Sequence, residues 1–155
     1  MENKKAENYE LVLAQAKSLL TDEFDVVANM SNLSSLIFYG LPNLNSVTFY
    51  RLKNNELIVG PFQGKPACIH IPIGSGVCGT VAKNEESEIV PDVTKFKGHI
   101  ACDSASRSEI VVPIFKDNKF CGVLDLDSPK YETFDETDEK YLSQIAQLIF
   151  GYKDN

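Results

Sequence analysis

From residue 7 to residue 20 apolar side chains recur at three-to-four spacing, at Leu11, Val12, Ala14, Ala16, Leu19 and Leu20, which predicts an amphipathic helix ending near Thr21 and Asp22. The same habit runs over residues 24–41 through Val26, Val27, Met30, Leu33, Leu36, Ile37 and Phe38, until Gly40-Leu41-Pro42 stops it. Past Pro42 the texture turns β-branched and aromatic. Residues 46–52 and 56–59 read as a hairpin across Lys53, Asn54 and Asn55, residues 60–64 as a loop, and residues 67–73 as a strand. In that strand Ile69, Ile71 and Ile73 take one face, expected to be core, and Cys68, His70 and Pro72 take the other. Gly74-Ser75-Gly76 turns the chain into a short helix over 77–83, and Ile89-Val90 forms a brief strand before a turn at Pro91-Asp92. Residues 97–108 are small and polar, and a loop that long inside a small domain is more often functional than idle. Residues 110–115 and 119–127 form a second hairpin, and 134–152 a closing helix entered through acidic residues. The order predicts an α+β fold with a central, mostly antiparallel sheet and N- and C-terminal helices packed on it. Residues 1–155 are read as one domain, with helices in 1–41 and the sheet, loops and last helix in 46–152.

Composition narrows the classes of function. A chain of 155 residues buries a core without disulfide or metal staples, and its 43% apolar and 24% charged residues are ordinary for a globular domain. No apolar run approaches the roughly 20 residues that cross a bilayer, and the first residues lack the charged-then-apolar order of a secretory signal. No membrane association and a cytoplasmic location are therefore expected. A net charge of -7, with only Lys4 and Lys5 adjacent among scattered lysines, excludes a basic stripe for nucleic acid. In a reducing compartment Cys68, Cys78, Cys102 and Cys121 are buried small hydrophobes, metal ligands or reactive thiols.

Several patterns bear on that choice. Gly74-Ser75-Gly76-Val77-Cys78-Gly79 matches the dinucleotide pattern G-x-G-x-x-G, but the segment after it is too short for a parallel βαβ unit, and a tight turn needing glycine explains it as well. No C-x-x-C occurs; Cys68 with His70 and His99 with Cys102 offer four conceivable zinc ligands. Cys121, set in an apolar run, reads as structural, whereas Cys102 sits in the polar loop Gly98-His99-Ile100-Ala101-Cys102-Asp103-Ser104, where exposure and free N–H groups favour a thiolate. Asp125 and Asp127 project to one face of their strand and Leu124 and Leu126 to the other, with Glu109 opening the neighbouring strand. Such like charges either share a proton or a cation, or form a solvated strand end.

Taken together, Gly60 to Lys65, Ala67-Cys68, Gly76 to Thr80, Gly98 to Asp103, Ser108 to Val111 and Gly122 to Pro129 resemble the free methionine-(R)-sulfoxide reductases, which are built on the GAF fold. The likeness runs from about residue 45 to residue 149, and the three-cysteine pattern separates that family from ligand-sensing GAF domains. The resemblance implies an enclosed pocket for the free amino acid, with Cys102 as attacking thiol, Cys68 as resolving thiol and Cys78 as an auxiliary one. Glu109, Asp125 and Asp127 would hold the sulfoxide oxygen and deliver its proton, and Tyr50 would line the pocket. It also implies no bound cofactor or metal, a thioredoxin-like external reductant fed by NADPH through its reductase, and pairing into a homodimer. One departure is plain: the family's usual tryptophan is replaced by Ser46, the chain has no tryptophan at all, and Phe49 is a candidate for the missing wall. The chemistry agrees with these roles, since sulfoxide reduction needs an acid beside a nucleophile. The rival reading is a non-catalytic GAF module sensing a small ligand or redox state, which three acids suit poorly if the ligand is an anionic phosphate.

Overall fold

In the computed structural model of the protein, which describes residues 2–153, two tight turns set the frame. Strand β1 (Ser46–Lys53) reverses at Asn54 and Asn55, with φ of 52° and 64°, into β2 (Glu56–Gly64). Two consecutive left-handed residues match the right-handed twist of the strands they join. Short strands follow, β3 (His70–Pro72) and β4 (Glu88–Val90). Then β5 (Ser108–Lys116) reverses at Asp117 and Asn118, with φ of 52° and 63°, into β6 (Lys119–Ser128). The hairpins join through β1 and β6 into one six-stranded sheet of order β3-β2-β1-β6-β5-β4, with every neighbouring pair antiparallel. Met1, Asp154 and Asn155, part of the single domain expected from sequence, lie outside the described residues.

Helices α1 (Glu2–Leu20), α2 (Val26–Gly40) and α4 (Glu136–Ala146) cover one face of the sheet. Two of them begin where local chemistry dictates: the Asp25 carboxylate accepts from the Ala28 N–H at 2.9 Å at the start of α2, and Asp135 and Asp138 form a reciprocal capping box at the start of α4. On α1 the buried stripe is Tyr9, Val12, Leu13, Ala16 and Leu20, while Leu11 and Leu19 face outward. That stripe keeps i, i+3, i+4, i+7 spacing, and it rotates the core face away from where Leu11 and Leu19 alone would put it. Val47, Phe49, Ile110, Val112, Leu124 and Leu126 meet it from the sheet, each fully or nearly fully buried. At about 1.5–3 kcal/mol for each such side chain, this layer dominates the stability. Lys5 and Tyr9 tie α1 to the Asp138 carboxylate at 2.7 and 2.5 Å.

Three expectations are corrected. Residues 60–64 continue β2 instead of looping: after a bulge opposite Phe49 the ladder resumes at Thr48 and Phe62. Gly60 sits at that bulge, where a Cβ would lie 2.9 Å from the Phe49 carbonyl oxygen. Only three residues of the segment 67–73 are strand, and only Ile71 is core; Ile69 and Ile73 are exposed because β3 is an edge strand. The last helix stops at Ala146 and tightens into a 3₁₀ turn, Gln147–Phe150, before Gly151 at φ 97°. No described helix is long and apolar enough to cross a membrane.

Candidate active site

On the sheet face away from those helices, alternation delivers a set of polar side chains to one place. Along β1, Ser46, Thr48 and Tyr50 point opposite to Val47 and Phe49, and along β6, Asp125 and Asp127 point opposite to Leu124 and Leu126. The register decides who meets whom: Asp127 stands across from Ser46 on one side and from Glu109 on the other, and Asp125 stands between Thr48 and Val111. Helix α3 (Gly76–Asn84) closes the floor, bringing buried Cys78 to the same cavity. Its glycines are packing devices: at Gly79 a Cβ would meet the Pro72 carbonyl oxygen at 2.6 Å. The dinucleotide pattern is thereby accounted for, since the strand before α3 is three residues long and antiparallel.

The loop carrying Cys102 forms the roof. Both ends are pinned by backbone bonds, Val93 N–H to Arg107 O at 2.9 Å and Arg107 N–H to Ser128 O at 2.8 Å. Asn45 Nδ2 donates to Asp103 Oδ2 at 2.9 Å and to Ser106 Oγ at 3.0 Å, and Asp103 Oδ1 accepts from the Ala105 N–H. Those bonds hold the Asp103 carboxyl below its usual range, led by the backbone N–H. Cys102 is exposed, partly buried Cys68 lies on the β2–β3 connection, and the two are joined in a disulfide with Cα atoms 5.6 Å apart. Cys78 and Cys121 are free thiols.

Electrostatics under the roof are dominated by burial. Glu109 and Asp125 are each 6% exposed, Asp127 somewhat more open. Burial first, then the charges of Asp125 and Asp127, push the Glu109 carboxyl well above its ordinary range. Asp127 is raised by burial and by Asp125, against the Ser46 hydroxyl that donates to its Oδ2 at 2.7 Å. Asp125 is raised by burial, with Glu109, Cys78 and His99 pulling the other way. The same burial, reinforced by the acids, raises the Cys78 thiol and the Tyr50 phenol. Burial lowers His99, whose Nε2 stands 3.7 Å from Glu109 Oε1. Burial therefore favours the protonated form of the three acids over the ionised one.

Cys102, Cys68, Cys78, Glu109, Asp125, Asp127 and Tyr50 thus converge on one cavity or its rim. The conceivable zinc set does not assemble: Cys68 and Cys102 are bonded to each other, and His70 pairs with Glu56 at 2.8 Å on the surface. Phe49 does not replace a tryptophan wall, because its strand position turns it into the helix-side core. Three contributors escaped the reading of the sequence: His99 against the acids, the Ser46 hydroxyl on Asp127, and Asn45 as anchor of the roof. The sequence marked His99 only as a conceivable zinc ligand and Ser46 only as the replacement of the family's tryptophan, and nothing local signalled Asn45 as an anchor.

A six-stranded antiparallel sheet with helices on one face and a loop-roofed pocket on the other is the architecture of a GAF domain, and the family model described as "GAF domain" matches residues 16–149. The fRMsr of Staphylococcus aureus in its reduced form superposes with a TM-score of 0.89 at 54% identity, covering 92% of this chain and 93% of that one. The free methionine-R-sulfoxide reductase of Neisseria meningitidis, solved in complex with its substrate, superposes at 0.90 with 44% identity, covering 94% and 87%. The free methionine-R-sulfoxide reductase of Saccharomyces cerevisiae is 46% identical over 153 residues, 94% of this chain and 85% of its own. The chain belongs to the free methionine-R-sulfoxide reductase family of GAF-domain enzymes.

Proposed function

We propose that the protein reduces free L-methionine-(R)-sulfoxide to methionine at this pocket, with Cys102 as nucleophile. The observation that carries the reading is the Cys68–Cys102 disulfide set over the buried Glu109 and Asp125 carboxyls and the partly buried Asp127, the oxidised end state such a cycle leaves behind. The Cys102 thiolate attacks the sulfoxide sulfur while a proton held among Glu109, Asp125 and Asp127 passes to the oxygen. The protonated oxygen then passes from the substrate sulfur to Cys102 as the bond between the two sulfurs breaks, so that methionine leaves and Cys102 holds the oxygen as a sulfenic acid. Cys68 then attacks that sulfur, expelling water and forming the disulfide. Two thiols have supplied two electrons and two protons to one sulfoxide. A thioredoxin-like dithiol, reset by NADPH through its reductase, returns the disulfide to thiols by exchange at the exposed Cys102 side.

In the disulfide form the cavity measures about 40 Å³. Ligand pockets run to roughly 300–1,000 Å³, so the pocket under the bonded roof is tight, and on this reading reduction of the disulfide widens it for the substrate. Tyr50, on the same β1 face as Ser46, lines the wall against the substrate. A cytoplasmic setting and a pair of copies belong to the same proposal. The test is methionine release from the R and, separately, the S epimer of free methionine sulfoxide, with thioredoxin, its reductase and NADPH supplied. Turnover confined to the R epimer is expected; no turnover of either by folded, reduced protein would leave a ligand-binding module as the better account.

A further inference from the structure

Cys78 forms no disulfide here and is not needed for the route through Cys68, yet it is 5% exposed and faces the acids. Its Sγ and one carboxylate oxygen each from Glu109 and Asp125 lie within 4.8 Å of one another. Asp125 Oδ1 is buried in this cluster with no hydrogen-bond partner. An orphaned buried acceptor is costly, and a cluster whose members are all acceptors once ionised is relieved by a proton or by a cation. We propose that Cys78, Glu109 and Asp125 form a binding site for a zinc-like divalent cation, and that cation and sulfoxide exclude one another from the pocket.

The donor set chooses the ion. A thiolate with two carboxylates is borderline-soft, which favours Zn²⁺ over Mg²⁺ or Ca²⁺, both of which take oxygen alone. Ligand atoms bonded at about 2.0–2.3 Å around a tetrahedral ion stand some 3.3–3.8 Å apart, so side-chain shifts of about 1 Å close the present spacing. The cavity of about 40 Å³ holds an ion and a water in the fourth position. Binding exchanges the Cys78 thiol proton and the shared carboxyl proton for metal, with the protons released to solvent and no change of oxidation state.

The disulfide form isolates the site, because Cys68 and Cys102 are then bonded to each other and Cys121 packs at the opposite, helix-side core. Zinc titrated into this form against a chromogenic chelator should bind at one equivalent, equally in Cys121→Ser and at least tenfold more weakly in Cys78→Ser and Asp125→Asn. Cobalt in the wild-type protein should give thiolate-to-metal charge-transfer absorption, a readout that needs no variant to fold. Wild-type protein with no such band, or Cys78→Ser binding zinc as tightly as wild type, overturns the site. The mutual exclusion rests on the reductase reading, the binding does not. One equivalent of zinc should block single-turnover methionine release by reduced Cys121→Ser protein, and undisturbed release there overturns the exclusion alone. Zinc binding in a protein that releases no methionine even without zinc overturns the reductase reading and leaves the site standing.

Discussion

Carboxylate oxygens of Glu109 and Asp125 stand within 4.8 Å of each other, and two full charges at that distance in an effective dielectric of ~20 repel by about 3 kcal/mol. One retained proton removes that repulsion, and on the proposed route it is the acid that sulfoxide chemistry requires. Asp127, raised by burial and by Asp125 and less enclosed than the other two, is the member best placed to exchange its proton with solvent. Asp127→Asn should slow methionine release by roughly 10²–10⁴-fold, and a near-wild-type rate in a single-turnover assay would remove it from the proton path. Cys102→Ser should release no methionine even in a first turnover; release at the wild-type amount would move the nucleophile elsewhere. Cys68→Ser should complete one turnover and then fail to recycle with thioredoxin or reroute through Cys78. Peptide mapping after that turnover checks the rerouting by a disulfide joining Cys78 to Cys102.

At the scale of elements, α3 and the roof loop are positioned by contacts that only small side chains or specific donors permit. The α3 backbone rides directly over the end of β3, where Gly79 leaves no space for a methyl group between itself and Pro72. Gly79→Ala should cost about 1–3 kcal/mol through forced displacement of that backbone. For a domain of this size it should lower the thermal midpoint by several degrees, and an unchanged midpoint would show that α3 slides freely. Gly76, at φ 63° and against the Ile100 side chain, plays the corresponding part under the roof. Roof and floor therefore meet at the lining of the cavity, through Gly76 and Ile100.

For the molecule as a whole, the same buried acids make stability depend on pH. Glu109, Asp125 and Asp127 hold their protons more tightly folded than unfolded, so their contribution is fully present below the unfolded carboxyl range near pH 4 and is lost as pH rises through their raised folded values. His99, lowered by burial, works in the opposite sense in the window below its usual value of about 6.5. Comparing wild type with Asp127→Asn separates the two, because the histidine is common to both. Calorimetry from pH 5 to pH 8 should show the variant gaining on wild type as pH rises. A difference that does not change with pH, or wild type gaining on the variant as pH rises, would mean Asp127 is ionised in the folded state.

Periodicity along the chain was sufficient for the helices over α1 and α2, both hairpins, the antiparallel sheet and the split of Asp125 and Asp127 from Leu124 and Leu126, because each rests on neighbours a few residues apart. Residue types in their local runs, with the family resemblance, were sufficient to nominate Cys102, Cys68, Cys78, Tyr50 and the three acids. What they lacked was depth and pairing. The sequence leaves Ile69 as good a core residue as Ile71, and only the edge position of β3 exposes one and buries the other. Phe49 as a pocket wall was equally open until the sheet turned it toward the helices. That Glu109 sits across from Asp127, that His99 folds back against Glu109, and that Asn45 reaches 58 residues along the chain to Asp103 are matters of register and loop closure. Such contacts join segments far apart in sequence, and their strength comes from the burial that the assembled fold alone creates.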